Sequence, residues 1–340
     1  MIKNLFLLPV LIAGLGVMLV GRLTAQTFTV LHSFTGSDGA FPYAGLILSG
    51  NTVYGTTALG GGSDGGTVFA VNTDGTGFTI LYSFTGRGDG VALEAGLILS
   101  GGTLYGTATG GGSSGVGTVF AINTDGTGFT TLHSFTGGSD GRSPPAGLIL
   151  SDNFLYGTAP DGGSSAGGTV FKVNTDGTGF TTLHSFAGRS DGANPLGSLI
   201  LSNNILYGTA AGGGSSSNGT VFKVNTDGTG FTNLYSFTAR DTNTGTNSDG
   251  AEPLAGLILS GNTLYGTAYE GGSGGNGTVF ELNTDGSGFM TLYSFSAISL
   301  GLSTNSDGAY PQAGLILSGN TLYGTAQDGC SSDAGGEEQG

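Results

Sequence analysis

Short apolar runs alternate with glycine-rich polar turns along most of the chain, and four kinds of run recur in a fixed order. The first is Gly-Leu-Ile-Leu-Ser at 45–49, and the second is Thr-Leu-Tyr-Gly-Thr-Ala at 103–108. The third is Gly-Thr-Val-Phe-x-Val-Asn at 168–174, and the fourth is Phe-Thr-Thr-Leu-His-Ser-Phe at 129–135. Each run has the length of a strand and is bounded by turn residues, so the pattern predicts four short β-strands per unit.

The four runs form a repeat with a period of 51 to 58 residues. Tyr-Gly-Thr occurs six times, at Tyr54, Tyr105, Tyr156, Tyr207, Tyr265 and Tyr323. Thr-Val-Phe occurs five times, ending on Phe69, Phe120, Phe171, Phe222 and Phe280. Two-residue connectors such as Gly50-Asn51 favour tight hairpins, and Asp-Gly between the third and fourth runs indicates another turn.

Several predicted strands are apolar on both faces, as Val119, Phe120 and Ile122 illustrate. Two buried faces are typical of a blade that lies between neighbouring blades. Four strands per unit of this length predict an all-β protein, a β-propeller of about six four-stranded blades. The alternatives are an open array of blades and a β-solenoid, and the absence of a Gly-Gly-x-Gly-x-Asp nonapeptide disfavours the solenoid.

The two ends of the repeat region suggest how the blades close. Phe28 to Phe34 resembles a fourth strand, and 314–326 supplies a first and a second strand. No third run follows, because the pattern dissolves after Cys330. We expect the N-terminal strand to complete the sixth blade and expect that last blade to remain incomplete.

The flanking segments define the remaining regions. Lys3 precedes an apolar run from Leu5 to Val20, and a small residue, Ala25, precedes the expected cleavage point, which is typical of a signal peptide. We therefore predict a signal peptide at 1–25, a tandem-repeat domain at 26–329 and an irregular tail at 330–340. The expected location is secreted or at the cell surface, with the periplasm as an alternative, and no transmembrane domain is expected after cleavage.

The acidic charge balance of the chain excludes some classes of binding partner. Eight Lys and Arg residues face 23 Asp and Glu residues, which gives a formal net charge of −15. Nucleic-acid binding needs a basic face, so we expect no nucleic-acid partner. Docking on anionic lipid is disfavoured for the same reason. The single cysteine excludes an internal disulfide bond.

The repeat resembles a known family. Ala-Gly-Leu-Ile-Leu-Ser-Gly-Asn-Thr-Leu-Tyr-Gly-Thr-Ala at 255–268, followed by Gly-Gly-Ser-Gly-Gly-Asn-Gly-Thr-Val-Phe at 271–280, is similar to the bacterial GloVer tandem repeat of choice-of-anchor proteins. The resemblance covers residues 28–329. It implies export and surface display rather than an activity, and nothing after Cys330 resembles an anchor.

Most side chains that could act in catalysis or metal binding occur at positions that are copied in several units. His32, His133 and His184 share a position that holds tyrosine in other units, which indicates packing rather than catalysis. The aspartates of the Asp-Gly turns before each first strand, such as Asp38, fit Asx turns, and calcium is the weaker alternative. We expect no catalytic residue, no metal ligand and no cofactor other than this calcium alternative.

Function in a repeat protein is expected where the units differ. Two loops carry seven-residue extensions, near Arg240 to Ser248 and near Ile298 to Ser306. The candidate ligand-binding residues are the non-copied Phe41, Tyr43, Arg240, Tyr269 and Tyr310. Aromatic side chains beside polar ones suit an extracellular glycan or protein ligand. The hypothesis is a non-enzymatic binding module, and the alternative is a carbohydrate-active hydrolase or lyase that uses non-copied acids such as Glu94, Glu252 and Glu270.

Overall fold

The computed structural model describes residues 28–298 and 305–329, and it is built of strands and turns. The first two units form β1 (Ile47–Ser49), β2 (Thr52–Thr57), β3 (Thr67–Asn72), β4 (Thr79–Ser83), β5 (Ile98–Ser100), β6 (Thr103–Ala108), β7 (Thr118–Asn123) and β8 (Thr130–Ser134). The next two form β9 (Ile149–Ser151), β10 (Phe154–Ala159), β11 (Thr169–Asn174), β12 (Thr181–Ser185), β13 (Ile200–Ser202), β14 (Ile205–Ala210), β15 (Thr220–Asn225) and β16 (Thr232–Ser236). The last two form β17 (Ile258–Ser260), β18 (Thr263–Ala268), β19 (Thr278–Asn283), β20 (Met290–Ser294), β21 (Ile316–Ser318) and β22 (Thr321–Tyr323).

The strands form five antiparallel four-stranded sheets and one two-stranded sheet, each in sequence order. This arrangement confirms the predicted all-β fold of blade-like units with an incomplete last blade. The hairpin between first and second strands is tight, and in the fourth unit both Asn203 (φ 51°) and Asn204 (φ 61°) are left-handed. A shift of register interrupts the ladder between third and fourth strands in every complete sheet, as at Val119/Phe120.

Tyr-Gly-Thr is copied because each of its residues contributes to blade packing. Tyr105 is buried in a cluster with Leu148, Leu155 and Phe171 of the next unit. The hydroxyl of Thr107 donates a hydrogen bond of 3.2 Å to the carbonyl oxygen of Ala146, also in the next unit. The equivalent bonds to the next unit are Thr56 to Ala95, Thr158 to Gly197, Thr209 to Ala255 and Thr267 to Ala313.

The apolar clusters join successive units rather than filling single sheets. The cluster of the first two units contains Tyr54, Phe84, Leu97, Leu104 and Phe120. The leucine of the first run shows the effect of having a preceding blade. Leu97 is 7% exposed against its neighbour, whereas Leu46 at the start of the array is 59% exposed.

The N-terminal segment 28–34 differs from the prediction. It forms no strand, and β21 and β22 pair only with each other among the described residues. Leu31 and Phe34 pack on the first sheet, beside Val53 and Phe69, as the residues of each fourth strand pack on the next unit. The prediction that this segment completes the sixth blade is wrong for the described residues, because a fourth strand needs the ladder of a third strand beside it.

Two predicted regions lie outside the described residues: the signal peptide at 1–25 and the tail at 330–340. Within the described part of the chain, no helix has the length and apolar character needed to span a bilayer.

Candidate functional site

One position in every unit has a left-handed backbone although glycine never occupies it. Its φ angles lie between 55° and 60° at Phe41, Ala92, Ser143, Asn194, Glu252 and Tyr310. We call these six residues the rim positions. Left-handed geometry costs a residue with a Cβ on the order of 1 kcal/mol or more. The chain has 71 glycines that could avoid this cost, yet it places six different side chains here.

Backbone hydrogen bonds hold each rim position in place. The N–H of Glu252 donates to the carbonyl oxygen of Asn218 in the preceding unit at 2.9 Å, and the N–H of Tyr269 donates to the Glu252 carbonyl at 3.1 Å. Corresponding N–H bonds to the preceding unit are made by Ala92, Ser143, Asn194 and Tyr310. This N–H bond therefore recurs in the second to sixth units, while the side chain at the rim position changes from unit to unit.

Arg240, Glu252 and Glu270 form a charged cluster at the rim. The Arg240 guanidinium contacts both carboxylates, with Nη2 3.4 Å from Glu252 Oε1 and with Nη1 against Glu270 Oε2. Glu270 also pairs through its backbone with Ala251, which brings the loop after β18 next to the rim. Glu94 belongs to the second unit and does not take part in this cluster. Of the three candidate acids, two converge and one does not.

Two tyrosines extend the charged cluster. The ring centroids of Tyr269 and Tyr310 lie 5.1 Å apart with a tilt of 34°, although the residues belong to adjacent units. Arg240 also lines a cavity of about 340 Å³, together with Ser216, Asn218, Asp241 and Thr242, among others. Arg240 contacts Glu270, which follows Tyr269 in the chain, and the Tyr269 ring lies beside that of Tyr310. Arg240, Tyr269 and Tyr310 therefore lie on one continuous stretch of the molecule.

Phe41 and Tyr43 form a second aromatic pair in the first unit. Their rings stack with centroids 5.8 Å apart, and they are 53% and 70% exposed. The five candidate ligand-binding residues therefore fall into two groups, one in the first unit and one in the last two.

The first extended loop is held by Asn247. Its side-chain amide donates to the carbonyl oxygens of Thr238 and Gly250, and its Oδ1 accepts the N–H groups of Gly250 and Gly272. In the shorter first unit, the carbonyl oxygen of Gly36 accepts the equivalent N–H. The asparagine side chain thus replaces a backbone carbonyl, which lets the loop lengthen without losing its attachment. Asn305 makes the matching bonds in the second extended loop, of which 299–304 lies outside the described residues.

The copied histidines join neighbouring blades. The His133 ring stacks on Phe180 of the next unit at 3.6 Å, and its Nε2 lies 3.1 Å from Asp140 Oδ2. Burial lowers the pKa of His133 more than the Asp140 carboxylate raises it. In the first unit Tyr82 makes the same contacts, with Phe129 of the next unit and with Asp89, and burial raises its pKa to about 12. His and Tyr serve equally well because each offers a flat ring and one hydrogen-bond donor.

The Asp-Gly turns bind their own loops. Asp89 accepts the backbone N–H and the hydroxyl of Thr85, and Asp74 accepts the N–H and the hydroxyl of Thr76. These are Asx-type turns. Among the described residues, no group of three or more His, Cys, Asp or Glu side chains is placed to hold a metal ion. The calcium alternative stays a prediction.

Comparison with known protein families identifies the repeat. A model of the Gloeobacter/Verrucomicrobia repeat matches residues 14–200 and 189–336. The chain belongs to the Gloeobacter/Verrucomicrobia repeat family. A comparison with curated proteins finds no match.

Among solved structures, this Gloeobacter/Verrucomicrobia repeat chain is similar to a putative 6-phosphogluconolactonase from Bacteroides uniformis. The identity is 15%, the TM-score is 0.50, and 84% of this chain and 78% of the other are covered. A chain of a nidogen/laminin complex gives 15% identity and a TM-score of 0.46 over 76% of this chain and 78% of the other. TolB from Acinetobacter baumannii gives an identity of 15% and a TM-score of 0.42, with 73% of this chain and 52% of the other covered. At this identity the first likeness supports the fold alone.

Sequence reasoning missed the rim positions as a set, although it selected Phe41 and Tyr310 individually. A usable signal was present. Each rim position is followed directly by a proline or leucine that lies three residues before the first run, and it is the most variable position near that point. In this Gloeobacter/Verrucomicrobia repeat protein, copied residues pack blades and non-copied residues occupy the rim.

Proposed function

We propose that this protein is an exported, non-enzymatic binding module that holds an extracellular ligand through its rim positions. The observation that carries the proposal is the left-handed geometry of six non-glycine residues on one repeated backbone frame. Strain that persists in every unit is often retained for function. A constant frame with variable side chains is how repeat proteins build a recognition surface.

The chemistry of the best-developed stretch favours a glycan as the ligand. Tyr269 and Tyr310 offer two half-buried rings with hydroxyl groups, and Arg240 supplies donors beside the carboxylates of Glu252 and Glu270. Sugars offer apolar ring faces and many hydroxyls, which suit aromatic rings beside polar groups that fix orientation. A protein ligand is the second candidate, and it is favoured by the exposed pair Phe41 and Tyr43.

The two converging glutamates do not favour a hydrolase. Glycoside hydrolysis needs one protonated and one ionised carboxyl group on opposite sides of a bond. Glu252 and Glu270 both contact the same guanidinium, so the two carboxyl groups are turned toward Arg240 rather than toward opposite sides of an open cleft. Their arrangement resembles a clamp that orients Arg240 more than it resembles an acid and base pair.

Export to the surface is part of the proposal and rests on the predicted leader at 1–25. A chain with 9% charged residues and side chains such as Ser, Thr and Asn in its turns also fits a protein that presents neutral hydrogen-bonding groups.

A glycan array probed with the protein lacking 1–25 tests the proposal. We expect selective binding that is lost in a Tyr269→Ala, Tyr310→Ala variant and kept in a Tyr43→Ala variant. Running the array with and without EDTA separates the calcium alternative, because a calcium-dependent site loses its signal in the chelator. Absence of binding under both conditions overturns the glycan assignment, and binding that survives loss of both tyrosines overturns the site.

A further inference from the structure

The five complete sheets share a contact that is not found in the sixth sheet within residues 305–329. In each of them, the ring of the third-strand phenylalanine lies against the glycine of Tyr-Gly-Thr. The pairs are Gly55 with Phe69, Gly106 with Phe120, Gly157 with Phe171, Gly208 with Phe222 and Gly266 with Phe280. A Cβ on these glycines would come within 2.7 Å of the ring's Cζ atom, so glycine is needed for the ring to fit.

The corresponding glycine of the sixth unit, Gly324, faces a cavity instead. The cavity has a volume of about 190 Å³ and is lined by Val279, Phe295, Leu315, Leu322 and Gly324, among others. Leu315 and Leu322 correspond to Leu97 and Leu104, which pack around Phe120 in the second unit. The walls of a phenylalanine site are therefore present, on the second strand of the sixth unit and on the unit before it.

Phe295 supplies the aromatic wall of this cavity. The phenylalanine that ends each fourth strand meets the third-strand phenylalanine of the next unit edge to face. Phe84 and Phe120 lie 5.0 Å apart, and Phe237 and Phe280 lie 5.3 Å apart. Phe295 is the equivalent residue before the sixth unit, and it lines the cavity. An aromatic ring in the cavity would gain this contact as well as the burial of its apolar surface.

The backbone beside the cavity is also placed to pair with a further strand. In the complete sheets the second strand pairs with the third in a fixed register, in which Gly106 lies opposite Phe120 and Leu104 lies opposite Ile122. β22 and the Gly324 that follows it carry the same residues as the start of β6, and among the described residues β22 pairs with β21 alone. Its outer edge can accept one more extended segment through main-chain hydrogen bonds, the mode known as β-augmentation.

We propose that β22 and the Gly324 cavity form an acceptor site for an extended peptide of the type Thr-Val-Phe-x-Val-Asn. The peptide adds as the third strand of the sixth sheet, and its phenylalanine enters the cavity opposite Gly324. The five internal third strands define this chemistry, because each places a valine and a phenylalanine in the same environment. The proposal does not rest on the rim positions or on a glycan ligand.

The test uses the full chain and a labelled peptide with the sequence of residues 167–176, Gly-Gly-Thr-Val-Phe-Lys-Val-Asn-Thr-Asp. Fluorescence anisotropy should give saturable binding. Replacing the peptide's phenylalanine by serine should weaken binding by about 30-fold or more, because the burial of one aromatic side chain is lost. Equal binding of the two peptides, or no binding of either at about 1 mM, a concentration that corresponds to only weak affinity, overturns the proposal.

A variant of the protein locates the site. Gly324→Val should abolish peptide binding, since its side chain occupies the space of the ring, whereas Ser318→Ala, an exposed change on the same hairpin, should leave binding unchanged. Hydrogen exchange adds a readout at single residues: the bound peptide should protect amides of β22 and not those of β2. Protection that is absent from β22, or peptide binding that persists in Gly324→Val, also contradicts the proposal.

Discussion

Phe171 lies directly against the backbone of Gly157, so that a Cβ added to Gly157 would come 2.6 Å from the Phe171 Cζ atom. Gly157→Ala should therefore destabilise the protein by about 1–3 kcal/mol, as overpacking of a dense core does. Gly324→Ala is the matched control. The close contact at Gly324 is the flexible end of Leu315, so the loss there should be smaller. Chemical denaturation of the two variants measures the difference, and equal losses would contradict the packing account.

Asp191 contains a buried oxygen, Oδ1, that has no hydrogen-bond partner in the part of the chain that the structure describes. The second unit explains why: Thr85 donates its hydroxyl to Asp89 Oδ1 at 2.9 Å, and the equivalent residue of the fourth unit is Ala187. Ala187→Thr should stabilise the protein by about 1 kcal/mol, because an unsatisfied buried acceptor gains a donor. Thr85→Ala should do the reverse by a similar amount. The thermal midpoints of both variants test this, and a loss of stability in Ala187→Thr counts against the assignment.

His133 and His184 should make the stability depend on pH. Burial lowers the pKa of both histidines in the folded state, so the unfolded chain binds their protons more readily. Their contribution is present above the unfolded value of about 6.5 and is lost as the pH falls below it. Asp140, whose pKa is lowered by hydrogen bonds from Thr136 and His133 despite its burial, loses its contribution only below its usual value near 3.8.

The variant His133→Tyr, His184→Tyr separates the contribution of the histidines to the pH dependence from that of the aspartates. Tyrosine already fills this position at Tyr82 and Tyr235, where it keeps both the ring stack and the bond to aspartate. The unfolding midpoint of this variant should fall less than that of the natural chain between pH 7.5 and pH 5. Identical slopes in this range would show that the histidines do not titrate on unfolding.

The strands could be predicted from the sequence because the pattern of each strand recurs in five or six units. Predicted and observed bounds agree for the second strand at Thr103–Ala108, where apolar residues and turn residues meet sharply. The first strand is shorter than its apolar run and begins at Ile47 rather than Gly45. The segment 28–34 was predicted as a strand because it matches the fourth run of the repeat. It forms no strand, because among the described residues no third strand lies beside it to form the ladder.

The candidate site was only partly predictable for a related reason. Aromatic and charged residues that break the repeat are visible in the sequence, which is how Arg240, Tyr269 and Tyr310 were selected. Their grouping depends on which units are adjacent in space and on the left-handed backbone at Glu252 and Tyr310. The variable residue before a proline or leucine marks the rim positions in the sequence, but it does not show which of them meet. The cavity at Gly324 was hidden because the glycine is a copied residue and the change lies in what faces it.

The loop attachment of Asn247 offers a separate test of the rim. Asn247→Ala removes bonds to Thr238, Gly250 and Gly272, so the segment 240–246 should become open to proteolysis. Asn233→Ala, at an exposed bond in a fourth strand of the same unit, is the control and should leave this segment resistant. Mass spectrometry of limited digests locates the cut, and equal resistance of both variants would contradict the role of Asn247.

The most direct test of the account is glycan-array binding by a Glu252→Gly, Tyr310→Gly variant, measured beside the natural chain. Glycine removes the left-handed strain at both rim positions, so the fold should be kept or stabilised by about 1 kcal/mol while the side chains proposed to bind are lost. The account predicts a protein at least as stable that no longer binds the array. A variant that binds as well as the natural chain would contradict the claim that the rim positions carry the function.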